Sequence, residues 1–191
     1  METLSKLFGS EAKVKIMRLF LFNPETVFDT STISTRTKAE ISKVRREIGV
    51  LEKTGLIKHR TRSNGRKGFV LDTQFSYLLP LQNFLINVEP LNPKEIIRRI
   101  SKLGSIKMIV LSGVFIQETE SRVDILVVGD NVKKTALENT IKLLESEIGK
   151  ELRYAHFTTA DFQYRISMCD KLTRDILDYP HKKVLNRLGI V

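Results

Sequence analysis

The chain has 191 residues, 41% hydrophobic and 28% charged, a composition that predicts a soluble globular protein with one large core or two small ones. No apolar run reaches the roughly 20 residues that span a bilayer, and a single cysteine, Cys169, excludes an internal disulfide. The 32 Lys and Arg against 22 Asp and Glu give a net charge of +10, which points to a polyanionic partner.

That charge is uneven. Residues 1–75 hold 15 cations and 8 acids, a surplus of +7 that leaves +3 for the longer remainder. His59, His156 and His181 stand at no metal-ligand spacing. The opening METLSKLFGSEAKVK carries acidic residues and no apolar export core, so the expected location is the cytoplasm, with no membrane partner.

In chain order, Ser10 is placed to cap a helix through Val14, Ile16, Met17, Leu19 and Phe20 that stops before Asn23-Pro24. Val27-Phe28 reads as a short extended piece. Asp29 caps a polar helix, TSTISTRT, whose Thr and Ser content makes it depend on packing at Ile33. From Lys38 an amphipathic helix follows, with Ile41, Val44, Ile48 and Leu51 as its apolar stripe. Arg46 falls opposite that stripe, Ser42 and Lys43 lie to either side of it, and Arg45 is nearer the flank. Glu47 and Glu52 are placed to pair with neighbouring cations. Gly55 ends the helix, Leu56-Ile57 opens a strand, and Ser63-Asn64-Gly65 makes a hairpin tip before Phe69-Val70-Leu71 returns.

The segment SKVRREIGVLEKTGLIKHR, and above all Leu51 to Ile57, resembles the recognition helix and first wing strand of winged helix-turn-helix regulators of the ArsR/MarR kind. The resemblance covers about residues 10–72. It implies that Ser42, Lys43, Arg45 and Arg46 enter the major groove of double-stranded DNA. Arg60, Arg62, Arg66 and Lys67 would meet phosphates or an adjacent minor groove, with Asn64 at the tip between them.

Beyond Gln74 the chain turns apolar. A connector helix is expected near 76–86, then a Pro-marked turn, then a helix from Lys94 to Leu103 bearing Ile96, Ile97 and Ile100. Such a connector packs between domains or between two copies of the chain, and the second option implies a homodimer. Ile106–Leu111 and Val123–Val128 read as buried strands. Asp130 is expected to cap a long helix with Val132, Leu137, Ile141, Leu144 and Ile148 on one face and Gly149 as its stop. Leu152–Phe157 gives a third strand, and Thr158 to Asp161 a capping box that opens helices from about 160 to 188.

This second part resembles the minimal nucleotidyltransferase domain of the DNA polymerase beta superfamily. Ser112-Gly113-Val114 stands where that family has Gly-Ser, and Ser121-Arg122-Val123-Asp124 where it has Ser-Asp-x-Asp. In the family, paired carboxylates hold Mg²⁺ at the transferring phosphoryl group. Here Arg122 replaces the first of them, Val114 the serine, and the third strand offers only Glu151 at its edge. The expectation is no catalytic residue, no metal and no cofactor, with Mg²⁺ entering only if the domain were active. Gly113, Arg122 and Asp124 form a candidate nucleotide or phosphate site in which guanidinium charge replaces the metal.

Together these readings predict three stretches: a winged-helix DNA-binding domain over 1–74, a helical connector over 75–104, and an α/β nucleotidyltransferase-like domain with a small mixed sheet over 105–191. The expected function is transcriptional regulation, with the second domain serving dimerisation or the sensing of a nucleotide or protein ligand. The competing readings are a nucleotidyltransferase enzyme that holds its substrate on the winged helix, and an RNA-binding adaptor. The scarcity of aromatics among the basic residues disfavours base stacking on single strands.

Overall fold

The computed structural model describes residues 2–61, 65, 67–86, 91–118 and 120–190. Over the described residues it is mixed α/β, about half helix, with two small sheets and no barrel. None of its described helices is long and apolar enough to cross a membrane. The backbone divides into two compact units, Met1–Val88 with Leu143–Glu151, and Glu89–Lys142 with Leu152–Val191.

In the first unit, helices α1 (Glu2–Phe8), α2 (Glu11–Phe22), α3 (Thr30–Thr37) and α4 (Ile41–Lys53) precede the hairpin β1 (Ile57–Thr61) and β2 (Lys67–Leu71), and α5 (Leu78–Leu85) follows it. Ser10 caps α2 by accepting the Lys13 N–H, and Asp29 caps α3 by accepting that of Thr32. The turn from α3 to α4 is held by Lys38 in the left-handed conformation (φ 52°) and by Ser34 Oγ donating to Ala39 O at 2.7 Å. Helix α4 ends in a Schellman motif, with Leu56 N donating to Leu51 O and Gly55 N to Glu52 O. Gly55 is the residue that takes positive φ (81°) there. The Val27-Phe28 piece is extended as expected: Phe28 bridges Phe69, each N–H donating to the other's carbonyl.

Val14, Phe20, Ile33, Val44, Ile48, Leu51, Ile57 and Leu71 form one core, with Leu4 and Phe8 of α1 packed against it. The composition of the α4 stripe differs from the sequence expectation. Ile41 is 42% exposed, and Glu47 is buried in its stead. Arg18, one of the 15 cations of the basic first part, is also buried. Its guanidinium is spent on carbonyls, Leu85 O at 3.1 Å and Glu147 O at 3.0 Å, and burial lowers its pKa.

The second unit holds α6 (Pro93–Ile100), β3 (Ser105–Leu111), a single 3-10 turn (Gly113–Phe115) and β4 (Ile125–Asp130). Helix α7 (Lys134–Ile148) begins there and is shared with the first unit; β5 (Tyr154–Phe157), α8 (Thr159–Ser167), α9 (Lys171–Asp178) and β6 (Lys182–Asn186) complete it. The sheet order is β5-β4-β3-β6, parallel between β4 and β5 and antiparallel elsewhere, so it is mixed as expected. Met108, Val110, Leu126 and Val128 pack on Phe162 of α8 and Ile176 of α9. Ile109, Ile125 and Val127, which point the other way, are buried too, and that is why these strands read as unbroken apolar runs.

Two expectations are corrected. The tail is not helical to residue 188, because β6 pairs with the free edge of β3. Nor does Asp130 cap α7. It closes β4, and its carboxylate accepts Thr159 N–H at 2.9 Å and Thr159 Oγ1 at 2.7 Å, fixing the start of α8. Of the expected capping box, the forward half forms, with Thr158 Oγ1 accepting Asp161 N–H, while the Asp161 carboxylate accepts the Thr158 hydroxyl.

Candidate nucleic-acid interface

Helix α4 is anchored on its inner side by Val44, Ile48 and Leu51, all under 5% exposed. Because 100° per residue separates neighbours, the same anchoring turns Ser42, Lys43, Arg45 and Arg46 outward, and all four are exposed. Three of them lean on acids. Ser42 Oγ donates to Glu40 Oε1, Lys43 Nζ lies 4.0 Å from Glu40 Oε2, and Arg46 Nη2 lies 2.9 Å from Glu47 Oε1.

Glu47 is the residue that sequence reasoning undervalued. It is 2% exposed, and Lys13 Nζ from α2 sits 3.5 Å from its other oxygen. Burial pushes its carboxyl up. Hydrogen bonds from Arg46 and then Ser10, with the charges of Lys13 and Arg46, outweigh burial and hold it below the usual carboxylate range. The signal was in the sequence: Glu47 follows Val44 by three residues and precedes Leu51 by four, the spacing of the inner face.

The hairpin adds a second cationic face. Register pairs Lys58 with Val70, His59 with Phe69, Arg60 with Gly68, and Thr61 with Lys67. Only Ile57 of β1 is buried, so the strand projects from the core along almost its whole length. His59 packs against Phe69 in a tilted ring contact, 4.4 Å between centroids, and lies 3.1 Å from Glu52 at the end of α4, which ties the hairpin to the helix. His59, Arg60, Thr61 and Lys67 line a hollow of about 280 Å³. Of the remaining hairpin candidates, Arg62, Asn64 and Arg66 lie outside the described residues. Gly68 is what lets Phe28 approach, since a β-carbon there would stand 2.8 Å from Phe28 O.

In the second unit, Gly113, Arg122 and Asp124 do not converge on open space. Asp124 is 1% exposed. Its Oδ1 accepts Val114 N–H at 3.0 Å and its Oδ2 accepts Arg153 N–H at 2.8 Å. Ser121 Oγ takes the Gly113 N–H at 3.0 Å. Arg122 turns away, its Nε 2.9 Å from Asp175 Oδ2 of α9. Glu151 is paired with Arg36 in the first unit. A Mg²⁺ ion needs several free oxygen ligands, and these residues do not fit one. Among the described residues, no group of three or more His, Cys, Asp or Glu could hold a metal.

Compared with known proteins, the chain matches no family model, no curated protein and no solved structure.

Proposed function

We propose that this chain is a DNA-binding transcriptional regulator, a winged helix-turn-helix joined to a nucleotidyltransferase-like domain that has no catalytic role. The observation that carries the reading is the outward face of α4, where Ser42, Lys43, Arg45 and Arg46 are all exposed above a rigidly buried inner face. Support comes from the order α2, α3, a short turn and α4, and from the cationic hairpin that follows it. A helix of this kind can seat in a major groove while the hairpin cations neutralise phosphates.

For the second domain, the support is chemical. Asp124, the one carboxylate retained from the family motif, accepts a backbone N–H on each oxygen and has the Arg153 Nε 3.5 Å from its Oδ2, so a cationic side chain stands where a metal ion would have to approach. The domain's role is then dimerisation or sensing, and the expected assembly is a cytoplasmic homodimer on two half-sites.

The deciding experiment is selection of bound sequences from a random duplex pool, with random RNA as competitor. Enrichment of a duplex motif, lost in Arg45→Ala/Arg46→Ala, is the expected result. Preferential retention of the RNA, or no enrichment at all, would overturn the reading.

A further inference from the structure

Charge in the second unit is gathered in one place. Glu89–Lys142 with Leu152–Val191 holds 16 cations and 11 acids, a surplus of +5. Residues 93–107 and 182–187 alone hold eight of those cations and one of the acids, a surplus of +7. The rest of the unit is therefore at −2, and a generally basic surface does not explain the excess. The two segments are neighbours, because α6 packs against β6.

Helical spacing and sheet position decide how these cations are presented. Ile96 and Ile100 hold the inner side of α6, both 0% exposed. At 100° per residue Lys94 and Arg98 fall on the outer side, and Lys102 continues their spacing of four into the following turn; all three are exposed. Glu95, the one acid, accepts from Nε and Nη2 of Arg98 at 2.9 and 2.6 Å and from Nε of Arg99 at 2.9 Å, which sets two guanidiniums side by side. Those bonds, Arg98's foremost, pull its carboxyl down to about 2, so near neutral pH it stays charged and keeps both arginines in place. On the sheet, β6 ends the order β5-β4-β3-β6, so among the described residues one of its edges has no strand beside it. Lys182 is exposed there. Arg187, exposed just past its end, is tied beside β3 by its N–H to Lys107 O at 2.8 Å and its Nη1 to Ile106 O at 3.4 Å. Edge lysines also keep a strand from pairing with another chain. That accounts for β6 but not for α6, whose backbone is paired within the helix.

We propose that the α6–β6 face is a second nucleic-acid surface, which grips the phosphates of duplex DNA without reading its bases. A linear polyanion matches a row of cations that share one face. Neither segment contains an aromatic residue to stack unpaired bases, and none of their apolar residues is exposed to enter a lipid surface. The choice of DNA rests on the reading of α4; the phosphate chemistry does not. Contacts of this kind add affinity and salt dependence and leave sequence preference to α4.

The test measures binding of the full chain to a duplex without the selected motif, by fluorescence anisotropy over a salt series, with thermal melts to check that each variant stays folded. Lys94→Gln/Arg98→Gln/Lys102→Gln on α6 should reduce the slope of log affinity against log salt by about 0.9 for each phosphate released, so by about two to three. Lys182→Gln/Lys183→Gln on β6 should reduce it by about one to two. Both variants should discriminate the selected site from a scrambled duplex as the parent does. An unchanged slope in either variant overturns the joint surface. So does tighter binding of the parent to an RNA duplex of the same sequence, or to phosphatidylserine vesicles. Lowered slopes in a chain whose sequence preference survives Arg45→Ala/Arg46→Ala uphold this surface and overturn the reading of α4. Unchanged slopes with that preference lost do the reverse.

Discussion

Arg46 and Glu47 are sequence neighbours that face opposite ways, yet Arg46 Nη2 folds back to within 2.9 Å of Glu47 Oε1. A cation on the outward face of α4 is thereby tethered to a carboxylate that is 2% exposed. The tether gives acid stability a specific dependence. Glu47 is held below its ordinary value of 4.5, so the folded state binds its proton less readily than the unfolded chain does. The resulting stabilisation is complete above that ordinary value and is lost as pH falls through the lower folded value. Glu47→Gln should melt lower than the parent at neutral pH, and the gap should narrow progressively below pH about 4.5. Thermal melts of both proteins from neutral to acid pH measure this; a gap that stays constant with pH would mean that the carboxylate's charge does not matter.

Arg60 and Lys67, exposed on the two strands of the hairpin, are expected to meet phosphates rather than bases. Replacing both with Ala should reduce the slope of log affinity against log salt by about 0.9 for each phosphate that is no longer neutralised. Arg45→Ala on α4 should instead compress the difference between the selected site and a scrambled duplex, by about 1–3 kcal/mol if the arginine reads guanine bidentately. Fluorescence anisotropy over a salt series separates the two effects. An unchanged slope in the double variant would take the hairpin out of the interface.

Most of the first unit was legible because its signals are local. Ser10, Asp29 and Gly55 act on backbone groups within a few residues, and the 3-4 spacing of Val44, Ile48 and Leu51 needs no partner to be recognised. What escaped depends on distant partners. The Lys182–Asn186 segment has only Val184 and Leu185 as apolar residues, and it becomes β6 because β3 offers a free edge. Arg18 reads as a surface cation, but it lies between Met17 and Leu19 on a helix buried nearly all round, where two carbonyls satisfy it. Asp130 has the look of a helix cap because Asp before a helix usually is one; its partner Thr159 is a different helix's first residue. The Lys13–Glu47 ion pair likewise joins two helices, and no spacing along the chain announces it.

Asp124 is expected to matter for stability and not for metal binding. Asp124→Ala would leave the N–H groups of Val114 and Arg153 without their acceptor, at a cost of about 2–4 kcal/mol. In a chain of this size that lowers the melting temperature by about 2–4 °C per kcal/mol. Asp124→Asn should recover part of the loss, since its carbonyl oxygen still accepts one of the two bonds. Millimolar Mg²⁺ should shift the parent's melting temperature by no more than an equal ionic strength of NaCl does. A Mg²⁺-specific rise that disappears in Asp124→Asn would restore the metal reading of this residue.

Two glycines should respond to alanine in opposite directions. Gly113 sits at φ 55°, and a β-carbon there would stand 2.0 Å from Asp124 Oδ1. Gly113→Ala therefore combines left-handed backbone strain with displacement of the carboxylate that holds the loop, and about 2–4 kcal/mol of destabilisation is expected. Gly49 lies inside α4 with nothing within 4 Å of an added β-carbon and no positive φ. Gly49→Ala should stabilise by about 0.5–1 kcal/mol, because alanine gives up less backbone entropy in a helix. Gly49 follows Ser42, Arg45 and Arg46 at helical spacing, so it shares their outward stripe. On a helix seated in a groove, the added methyl should therefore weaken DNA binding in a protein that melts higher. Paired denaturant titrations and anisotropy measurements would show both effects. A Gly49→Ala variant that is more stable and binds DNA undiminished would place the DNA elsewhere than on this face of α4.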